Sequence, residues 1–357
     1  MKPVVPQRIL VVKLSSLGDV VHAMPAVQDL RRAFPGAQID WVVERAFAPL
    51  VQRCEGVNQV IACELRQWRK APLAATTRQA WKAFRTTLQA QQYDAIIDLQ
   101  GLSKSALVSW LARTSPTGRR YGLANQTQGS SFEAPARWVA DVAIEIEPHV
   151  HAVQRSRILC AAGLGYALEG APRFGLQPGD LAAAPLPHPV QGNNPFGPRK
   201  PLVALVHGSS RADKQWPLAN WIALGQQLNH AGFAVALAHG SPQEKADSET
   251  IAAALSDAWV WPSMALDAVT DTLAKCAGVI GVDSGLSHIA VALDVPHVQI
   301  YNFDTAWRTG PEVLAGTDAA TAPSGPSRQT SVLGQPSPTV EAVWQAWESL
   351  ATPVLCQ

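Results

Sequence analysis

Short aliphatic runs alternate along this chain with stretches of helix length, and this alternation limits the folds open to it. In the first part, apolar runs at residues 8–14, 38–44 and 95–99 predict strands, and the stretches at 19–34 and 77–92 predict helices. Strands separated by helices pair in parallel, and the helices cover the faces of their sheet. The sequence therefore predicts an α/β fold.

A stretch rich in proline and glycine, residues 171–201, interrupts this alternation and is predicted to link two domains. Beyond it the pattern restarts, with predicted strands at 202–207, 234–238, 279–282 and 298–301, helices at 217–231 and 339–350, and a loop at 316–338. We predict a first domain at 1–170 and a second at 202–338. The C-terminal segment, 339–357, carries a helix that is expected to pack back on the first domain.

Composition excludes several classes of protein. At 357 residues the chain is long enough for two domains, and 47% hydrophobic with 16% charged residues is typical of a compact globular protein. Lys and Arg number 29 against 28 Asp and Glu, so no global positive field exists to hold a nucleic acid. An anionic ligand must be met by local patches.

The cysteines and the apolar runs indicate a cellular setting. The five cysteines are scattered and odd in number, which favours a reducing cytoplasm over a disulfide framework. The N-terminus lacks the pattern of a secretion signal, and no uncharged apolar run reaches the roughly 18 residues of a spanning helix. Any membrane contact is therefore expected to be peripheral.

The loop after the first predicted strand carries the first candidate for chemistry. Gly18 is its only glycine, which argues against the G-x-G-x-x-G loop of a nicotinamide enzyme. Asp19 then has two compatible interpretations. It is either a carboxylate that caps the first turn of a helix or a general base that faces a ligand.

Two loops of the second domain have the composition of anion sites. Ser209, Ser210 and Lys214 follow a strand and offer hydroxyls and a positive charge to phosphate oxygens, although an exposed lysine is commonly only solvated. In the second loop, residues 281–288, a strand runs directly into a helix through Asp-Ser-Gly. The N-terminus of that helix favours anions, and the alternatives are that Asp283 or Ser284 only caps the helix and that His288 is structural.

Further charged residues follow other strands of the two domains. Glu244 comes after the strand at 234–238 and is a candidate for contact with ribose hydroxyls, though alone it would be an ordinary surface carboxylate. The segment 66–70 holds three cations around Trp68, and Lys104 follows the strand at 95–99. Basic runs are usually solvated, but two of them on one domain favour a second, anionic partner molecule.

These motifs together resemble those of the lipopolysaccharide heptosyltransferase family, in particular its type I enzymes. The matching segments are SSLGDVVHAMPA at 15–26, RQWRK at 66–70, DLQGLSKSA at 98–106, RADKQWP at 211–217 and GVDSGLSHIAVALD at 281–294. The resemblance implies a GT-B fold, in which two Rossmann-like domains with parallel sheets face each other across a cleft. The first domain would bind the acceptor and the second the donor.

The resemblance also implies a reaction and its partners. Such an enzyme moves L-glycero-D-manno-heptose, with inversion, from ADP-heptose to the first Kdo of Kdo2-lipid A. ADP-heptose is then a substrate; no cofactor is expected, and no obligatory metal, since no D-x-D motif lies between the donor loops. The expected enzyme is a cytoplasmic monomer, peripheral on the inner face of the inner membrane, without a nucleic-acid partner.

Site residues follow from the matched motifs. The implied base is Asp19, with Lys214 as the second catalytic residue, and the remaining assignments are donor contacts at Ser209, Ser210, Lys214, Glu244, Asp283, Ser284, Gly285 and His288, and acceptor contacts at Arg66, Arg69, Lys70 and Lys104. Residues 125–137 depart from the family pattern, which leaves acceptor contacts there unassigned. The alternatives are another GT-B enzyme, such as a different heptosyltransferase or a nucleotide-sugar epimerase, and a non-catalytic nucleotide-binding module.

Overall fold

The computed structural model describes residues 5–179, 200–311 and 328–351. The chain divides into two compact units, Met1–Gln177 and Pro178–Gln357. Each unit is described below by itself.

The first unit is built on a six-stranded sheet in the order β3-β2-β1-β4-β5-β6, and every pairing in it is parallel. Its strands are β1 (Arg8–Val12), β2 (Gln38–Glu44), β3 (Val57–Cys63), β4 (Gln92–Asp98), β5 (Arg113–Leu123) and β6 (Val142–Ile144). The central strand β1 is apolar and buried after Arg8, and residues 95–98 of its neighbour β4 are buried, as strands covered on both faces must be.

Helices cover both faces of this first sheet. They are α1 (Leu17–Ala33), α2 (Ala48–Val51), α3 (Leu65–Lys70), α4 (Ala75–Leu88), α5 (Ser103–Leu111), α6 (Ala134–Val139) and α7 (Ala152–Leu164). Side chains from α3, α4 and α5 share one core with the sheet, in which Trp68, Phe84 and Val108 are buried. Helices α1 and α7 pack against each other.

The second unit repeats this plan with a six-stranded parallel sheet in the order β12-β11-β10-β7-β8-β9. Its strands are β7 (Leu202–Val206), β8 (Ala234–Leu237), β9 (Ala258–Val260), β10 (Gly278–Val282), β11 (His297–Tyr301) and β12 (Gln329–Leu333). Its helices are α8 (Leu218–His230), α9 (Pro242–Ala253), α10 (Leu266–Ala274), α11 (Gly285–Ala292), α12 (Ala306–Thr309) and α13 (Val340–Ala351).

Strand order fixes where each unit can bind a ligand. In the first sheet the chain builds outward from β1 to β3 and then returns to β4 on the other side of β1. In the second sheet the same reversal falls between β7 and β10. Loops that leave two such neighbouring strands diverge to opposite faces and open a crevice at the carboxyl edge of the sheet. The crevices lie after β1 and β4 and after β7 and β10.

Two expectations from the sequence need correction. The segment predicted as a loop at 316–338 contains the strand β12. Its polar residues are compatible with a strand because they are only half-buried where β12 pairs with β11. Residues 316–327 lie outside the described parts. The helix expected to pack on the first domain is α13, and its Val343 and Trp347 are instead buried in the core of the second unit. An aromatic side chain of that size gains most when it enters a core.

The predicted linker at 171–201 contains the boundary between the units, which falls after Gln177. Its first residues belong to the first unit, since Leu176 pairs with Cys54 in a β-bridge and Glu55 donates its N–H to the carbonyl of Gly175. Residues 180–199 lie outside the described parts.

The described cysteines, Cys54, Cys63, Cys160 and Cys276, are free and buried. Burial raises the pKa of each thiol, to about 12 for Cys63 and Cys276. Cys356 lies outside the described parts. Among the helices described, none has the length and apolar character needed to cross a bilayer.

Candidate functional site

Asp19 occupies the third position of α1, directly after the crevice-forming end of β1. Its Oδ2 accepts the backbone N–H of Ser16 at 3.1 Å and the Ser16 hydroxyl at 2.9 Å, which closes the helix start as a capping box. Its side chain is still 37% exposed. The capping interpretation is therefore confirmed, and the carboxylate keeps an accessible surface.

Two cations face the other oxygen of Asp19. Lys13 Nζ lies 3.6 Å and Arg155 Nη2 lies 3.8 Å from Oδ1. Both are nearly buried, at 1% and 8% exposed, and Lys13 also donates to the carbonyl of Leu99 at 3.0 Å. Asp19, Lys13, Arg155 and Lys104 are called the Asp19 cluster below.

The cluster changes the acid strength of its members. Burial by itself raises the pKa of Asp19, but Lys13, Arg155 and the hydrogen bonds from Ser16 outweigh it and hold this pKa at about 2. Burial lowers the pKa of Lys13 to about 8, against the opposing pull of Asp19. Asp19 is therefore ionised throughout the neutral range.

Lys104 joins the cluster from the first turn of α5, after β4. Its Nζ donates to Ser15 Oγ at 2.6 Å. Burial and the neighbouring Arg66 lower the pKa of Lys104, while Glu44 and Asp19 oppose this shift. The structure therefore brings the predicted residue Lys104 beside the Asp19 loop, with Arg66 near it.

Helix α3 presents the predicted basic segment. Trp68 is buried against Trp81 and Phe84, with ring centroids 5.5 Å apart in both pairs, and this anchors the short helix. Arg66, Arg69 and Lys70 are consequently exposed. Arg66 interacts with Lys104 of the Asp19 cluster through its charge, and the backbone N–H of Arg66 bonds to the Glu44 carboxylate at the end of β2. Arg69 and Lys70 lie in the last turn of the helix.

Sequence reasoning missed three residues that shape this first-unit site. Lys13 lies within the run at 8–14 that was predicted as a strand, and Arg155 lies far along the chain on α7. Gln100 is the third, since its Oε1 accepts the backbone N–H groups of Leu14 and Ser15, both at 3.1 Å, and so fixes the loop before Asp19. For Lys13 the sequence did offer a signal, since a lysine at the end of a buried strand needs a partner for its charge.

In the second unit, Asp283 lies at the end of β10 and contacts two other predicted site residues, Lys214 and His288. Lys214 Nζ donates to its Oδ2 at 2.6 Å, and His288 Nε2 lies 3.1 Å from its Oδ1. Thr309 adds a longer hydrogen bond of 3.4 Å. Asp283 is nearly buried, and although burial opposes ionisation, His288 and Lys214 hold the pKa of this carboxyl well below its usual range.

Helix α11 begins beside this cluster. Ser284 is its N-cap residue, and the Ser284 side chain makes no capping hydrogen bond but lies 3.5 Å from the Ser287 hydroxyl. The Asp283 carboxylate is engaged by the side chains of Lys214 and of His288, which lies in α11, rather than by backbone N–H groups at the start of the helix. The alternative that these side chains merely cap the helix is therefore wrong for this loop. The start of the helix at Gly285 keeps its positive dipole end available to an anion.

The loop after β7 carries the other predicted donor residues. Lys214 ends a single 3-10 turn, Ala212–Lys214, while Ser209 is half-buried and Ser210 is exposed. Asn302, which sequence reasoning missed, donates to the carbonyls of Asp213 and Gln215 at 3.0 and 2.8 Å. Its place directly after β11 was the signal that could have found it. Asn302 holds the turn that aims Lys214 at Asp283.

Glu244 joins the loops after β7 and β8. It sits in the first turn of α9, where its backbone N–H bonds to Ser241, and its Oε2 accepts the N–H of Gly240 at 2.6 Å. Gly208 allows this position, because a Cβ there would lie 2.5 Å from Glu244 Oε1. The carboxylate thus lies at the same sheet edge as Lys214 and Asp283.

Each unit therefore offers a distinct chemistry at its crevice. The first holds an ionised, partly exposed carboxylate among cations, and the second holds a lysine, hydroxyls and a helix N-terminus suited to a diphosphate. Across the described ranges no group of His, Cys, Asp and Glu side chains is arranged to hold a metal ion.

Comparison with known proteins defines the class. Residues 81–323 match glycosyltransferase family 9, the heptosyltransferases. The chain belongs to this family and is a glycosyltransferase.

Curated relatives are lipopolysaccharide heptosyltransferases. The chain is 38% identical over 295 residues to lipopolysaccharide heptosyltransferase 1 of Salmonella typhimurium, covering 82% of this chain and 88% of the relative. It is 35% identical over 325 residues to the Pseudomonas aeruginosa enzyme of the same name, covering 88% and 85%. The resemblance predicted from the motifs is confirmed.

Solved structures confirm the fold class. E. coli heptosyltransferase WaaC with ADP matches with a TM-score of 0.80 and 32% identity, over 96% of this chain and all of that one. E. coli ADP-heptose lps heptosyltransferase II matches in fold with a TM-score of 0.72 at 21% identity, over 98% and 99%. The predicted α/β fold of GT-B type is therefore correct.

Proposed function

We propose that this protein transfers L-glycero-D-manno-heptose from ADP-heptose to the first Kdo of Kdo2-lipid A, as a type 1 lipopolysaccharide heptosyltransferase. One observation carries the proposal: a member of family 9 places an ionised carboxylate at the crevice of one sheet and a diphosphate-type site at the crevice of the other. Its 38% identity to lipopolysaccharide heptosyltransferase 1, against 26% to lipopolysaccharide heptosyltransferase 2, supports the choice of acceptor.

The second unit binds the donor in this proposal. The Lys214 ammonium has three N–H donors, one of which bonds to Asp283, and it meets the diphosphate together with Ser209 and Ser210. Glu244 accepts hydrogen bonds from the ribose hydroxyls. The N-terminus of α11 at Ser284 and Gly285, with His288 beside it, offsets the negative charge that grows on ADP as it leaves.

The first unit supplies the base. The acceptor hydroxyl oxygen of Kdo attacks the anomeric carbon, the bond from that carbon to the ADP oxygen breaks, and Asp19 takes the hydroxyl proton. A single displacement of this kind inverts the anomeric centre. Because the pKa of Asp19 is only about 2, the carboxylate accepts the proton late, when the new carbon–oxygen bond has made the hydroxyl strongly acidic.

Acceptor anions are met by the cations around Asp19. Lys104 and Arg66 lie near its loop, and Arg69 and Lys70 extend the positive charge along α3. Kdo carries a carboxylate and lipid A carries phosphates, and lysine and arginine are the side chains that bind such groups. The enzyme acts as a monomer on the cytoplasmic face of the inner membrane, attached peripherally and without an obligatory metal.

The decisive experiment is mass spectrometry of the product that the purified protein forms from ADP-heptose and Kdo2-lipid A. The expected product is heavier by one heptose, and NMR of its new linkage shows the anomeric configuration opposite to that of the donor. Transfer only to an acceptor that already carries heptose indicates a different heptosyltransferase. Conversion of a nucleotide sugar without acceptor indicates an epimerase, and ADP-heptose binding without any product indicates a binding module.

A further inference from the structure

Three large apolar side chains are exposed on two neighbouring helices of the first unit. Leu107 and Trp110 lie one turn apart on the outer side of α5, at 41% and 63% exposed, while Val108 of the same helix is buried. Trp138 on α6 is 75% exposed. Tryptophan is rarely left in water at this level, and contiguous exposed apolar side chains mark contact surfaces.

Hydrogen bonds hold the two helices side by side. At their starts, the backbone N–H of Ser103 bonds to Glu133 Oε2 at 2.7 Å. At their ends, the Arg120 guanidinium donates to the carbonyls of Ser109 and Ala112, while the Arg120 backbone N–H bonds to Asp141. Trp110 and Trp138 therefore lie at the same ends of two adjacent helices.

Exposed arginines lie beside these aromatic side chains. Arg85 and Arg113 line a surface pocket together with Trp110, and Arg137 precedes Trp138 in α6. Leu107, Trp110, Trp138, Arg85, Arg113 and Arg137 are called the tryptophan surface below. Its aromatic and aliphatic side chains with arginines beside them complement a lipid surface, which has anionic headgroups over an apolar interior.

We propose that the tryptophan surface docks the protein on an anionic lipid bilayer. Tryptophan rings settle at the level of lipid headgroups, and arginines beside them pair with lipid phosphates. The assignment rests on the proposed function in one respect, the lipid nature of the acceptor. The proposal goes beyond that function because it assigns membrane attachment to particular residues, those of the tryptophan surface.

Helix α5 connects this surface to the acceptor site. Lys104 lies at its start beside Ser15, and Trp110 lies six residues further along. At 1.5 Å per residue the two positions are about 9 Å apart along the axis. A sugar headgroup of a bilayer touching Trp110 would have to project about 9 Å along α5 to reach Lys104.

Vesicle sedimentation tests the proposal directly. We expect the full chain to bind vesicles of phosphatidylcholine with phosphatidylglycerol and to bind pure phosphatidylcholine vesicles far more weakly. The double variant Trp110→Ser, Trp138→Ser should lose about tenfold in partition. Arg85→Glu with Arg113→Glu should lose binding to the anionic vesicles by a similar factor, with a steep salt dependence in the wild type. Leu333→Ser on β12, which is 49% exposed in the second unit, is the matched control and should bind normally.

An activity readout separates this proposal from the proposed function. With Kdo2-lipid A in detergent, both double variants should keep wild-type turnover and ADP-heptose affinity; with the same acceptor in vesicles, kcat/KM should fall about tenfold. Loss of both activities together with normal vesicle binding overturns the docking surface. Undiminished vesicle binding by the tryptophan variant, shown folded by circular dichroism, overturns it as well, whereas absence of transfer by the wild type overturns the proposed function alone.

Discussion

At the scale of single residues, Asp19 uses its two oxygens for different purposes. Oδ2 closes the start of α1 through Ser16, and Oδ1 faces Lys13 and Arg155. Capping fixes the rotamer of the side chain, and a fixed rotamer is what a base needs in order to meet a hydroxyl in one orientation. The two interpretations drawn from the sequence are thus compatible in the structure.

Asp19→Asn should abolish heptose transfer and leave the Kd for ADP-heptose nearly unchanged. The amide oxygen can still accept the N–H of Ser16 and keep the helix start, but the amide cannot take a proton. Single-turnover assays and calorimetric titration with ADP-heptose measure the two quantities. Wild-type turnover in this variant would assign the carboxylate to capping alone.

Arg155→Gln should raise the pKa of Asp19 and move the acidic limb of kcat/KM to higher pH. The ionised form is the active one, so activity is lost as pH falls through this pKa. In the wild type that pKa is about 2, and Arg155 is one of the charges that lower it. Arg155→Lys keeps the charge and is the control. An acidic limb at the same pH in both variants contradicts the role assigned to Arg155.

The sequence identified the ionisable residues that stand directly after strands, and it missed their distant partners. Asp19, Lys214 and Asp283 were predicted because a loop after a parallel strand has a known place in the fold. Arg155 could not be found, since nothing near it in sequence indicates that α7 packs on α1. Asn302 was also missed, but its place directly after β11 was a usable signal.

At the scale of elements, the loops after β7 and β8 are fitted to each other through Gly208 and Glu244. Gly208→Ala should raise the KM for ADP-heptose by about tenfold with little loss of stability, because the new methyl group displaces the flexible Glu244 side chain rather than the backbone. Gly240→Ala is a close control, since its Cβ would lie 3.4 Å from Glu244 Oε2, an ordinary contact. Donor titration and thermal unfolding measure both effects, and equal KM values in the two variants contradict the expectation.

Helices α1 and α7 are joined by a buried ion pair between Asp29 and Arg157. Arg157 Nε lies 2.6 Å from Asp29 Oδ2, and the side chains are 2% and 5% exposed. Arg157→Met should lower the free energy of unfolding by about 3 kcal/mol, because it leaves a buried carboxylate short of a partner. Arg31→Met, also on α1, breaks an exposed pair with Glu55 and should cost less than about 1 kcal/mol. Similar losses in denaturant titrations of both variants would count against this difference.

Periodicity located elements well where a strand is apolar and central. The predicted strand at 38–44 has the bounds of β2, and that at 202–207 is β7 within one residue. The edge strand β12 was not predicted, because it contains Gln, Thr and Ser and its place depends on pairing with β11. The partner of α13 escaped as well, because an apolar helical face does not specify which core receives it.

At the scale of the whole molecule, the same crevice arises twice. Each unit reverses its strand order next to its first strand, and each places its ionisable residues on the two loops that this reversal separates. The alternation of strands and helices predicted both sheets. The linker at 171–201 was placed around the observed boundary, although the sequence did not show that the residues up to Gln177 pair with Cys54.

Turnover should persist in excess chelator. The charge on departing ADP is offset in our proposal by Lys214 and by the start of α11, which supply electrostatic stabilisation without a divalent cation. Product formation in EDTA, compared with the same assay in magnesium, measures this. Complete loss of product that magnesium restores would refute the expectation.

Buried thiols make this protein convenient for site-directed labelling. Cys54, Cys63, Cys160 and Cys276 are shielded and poorly ionised, so maleimides should react with them slowly at neutral pH. Once Cys356 is replaced by serine, a cysteine introduced at an exposed position becomes the preferred target. Fluorescent or spin probes can then be attached in each half of the chain while the four buried thiols stay in place.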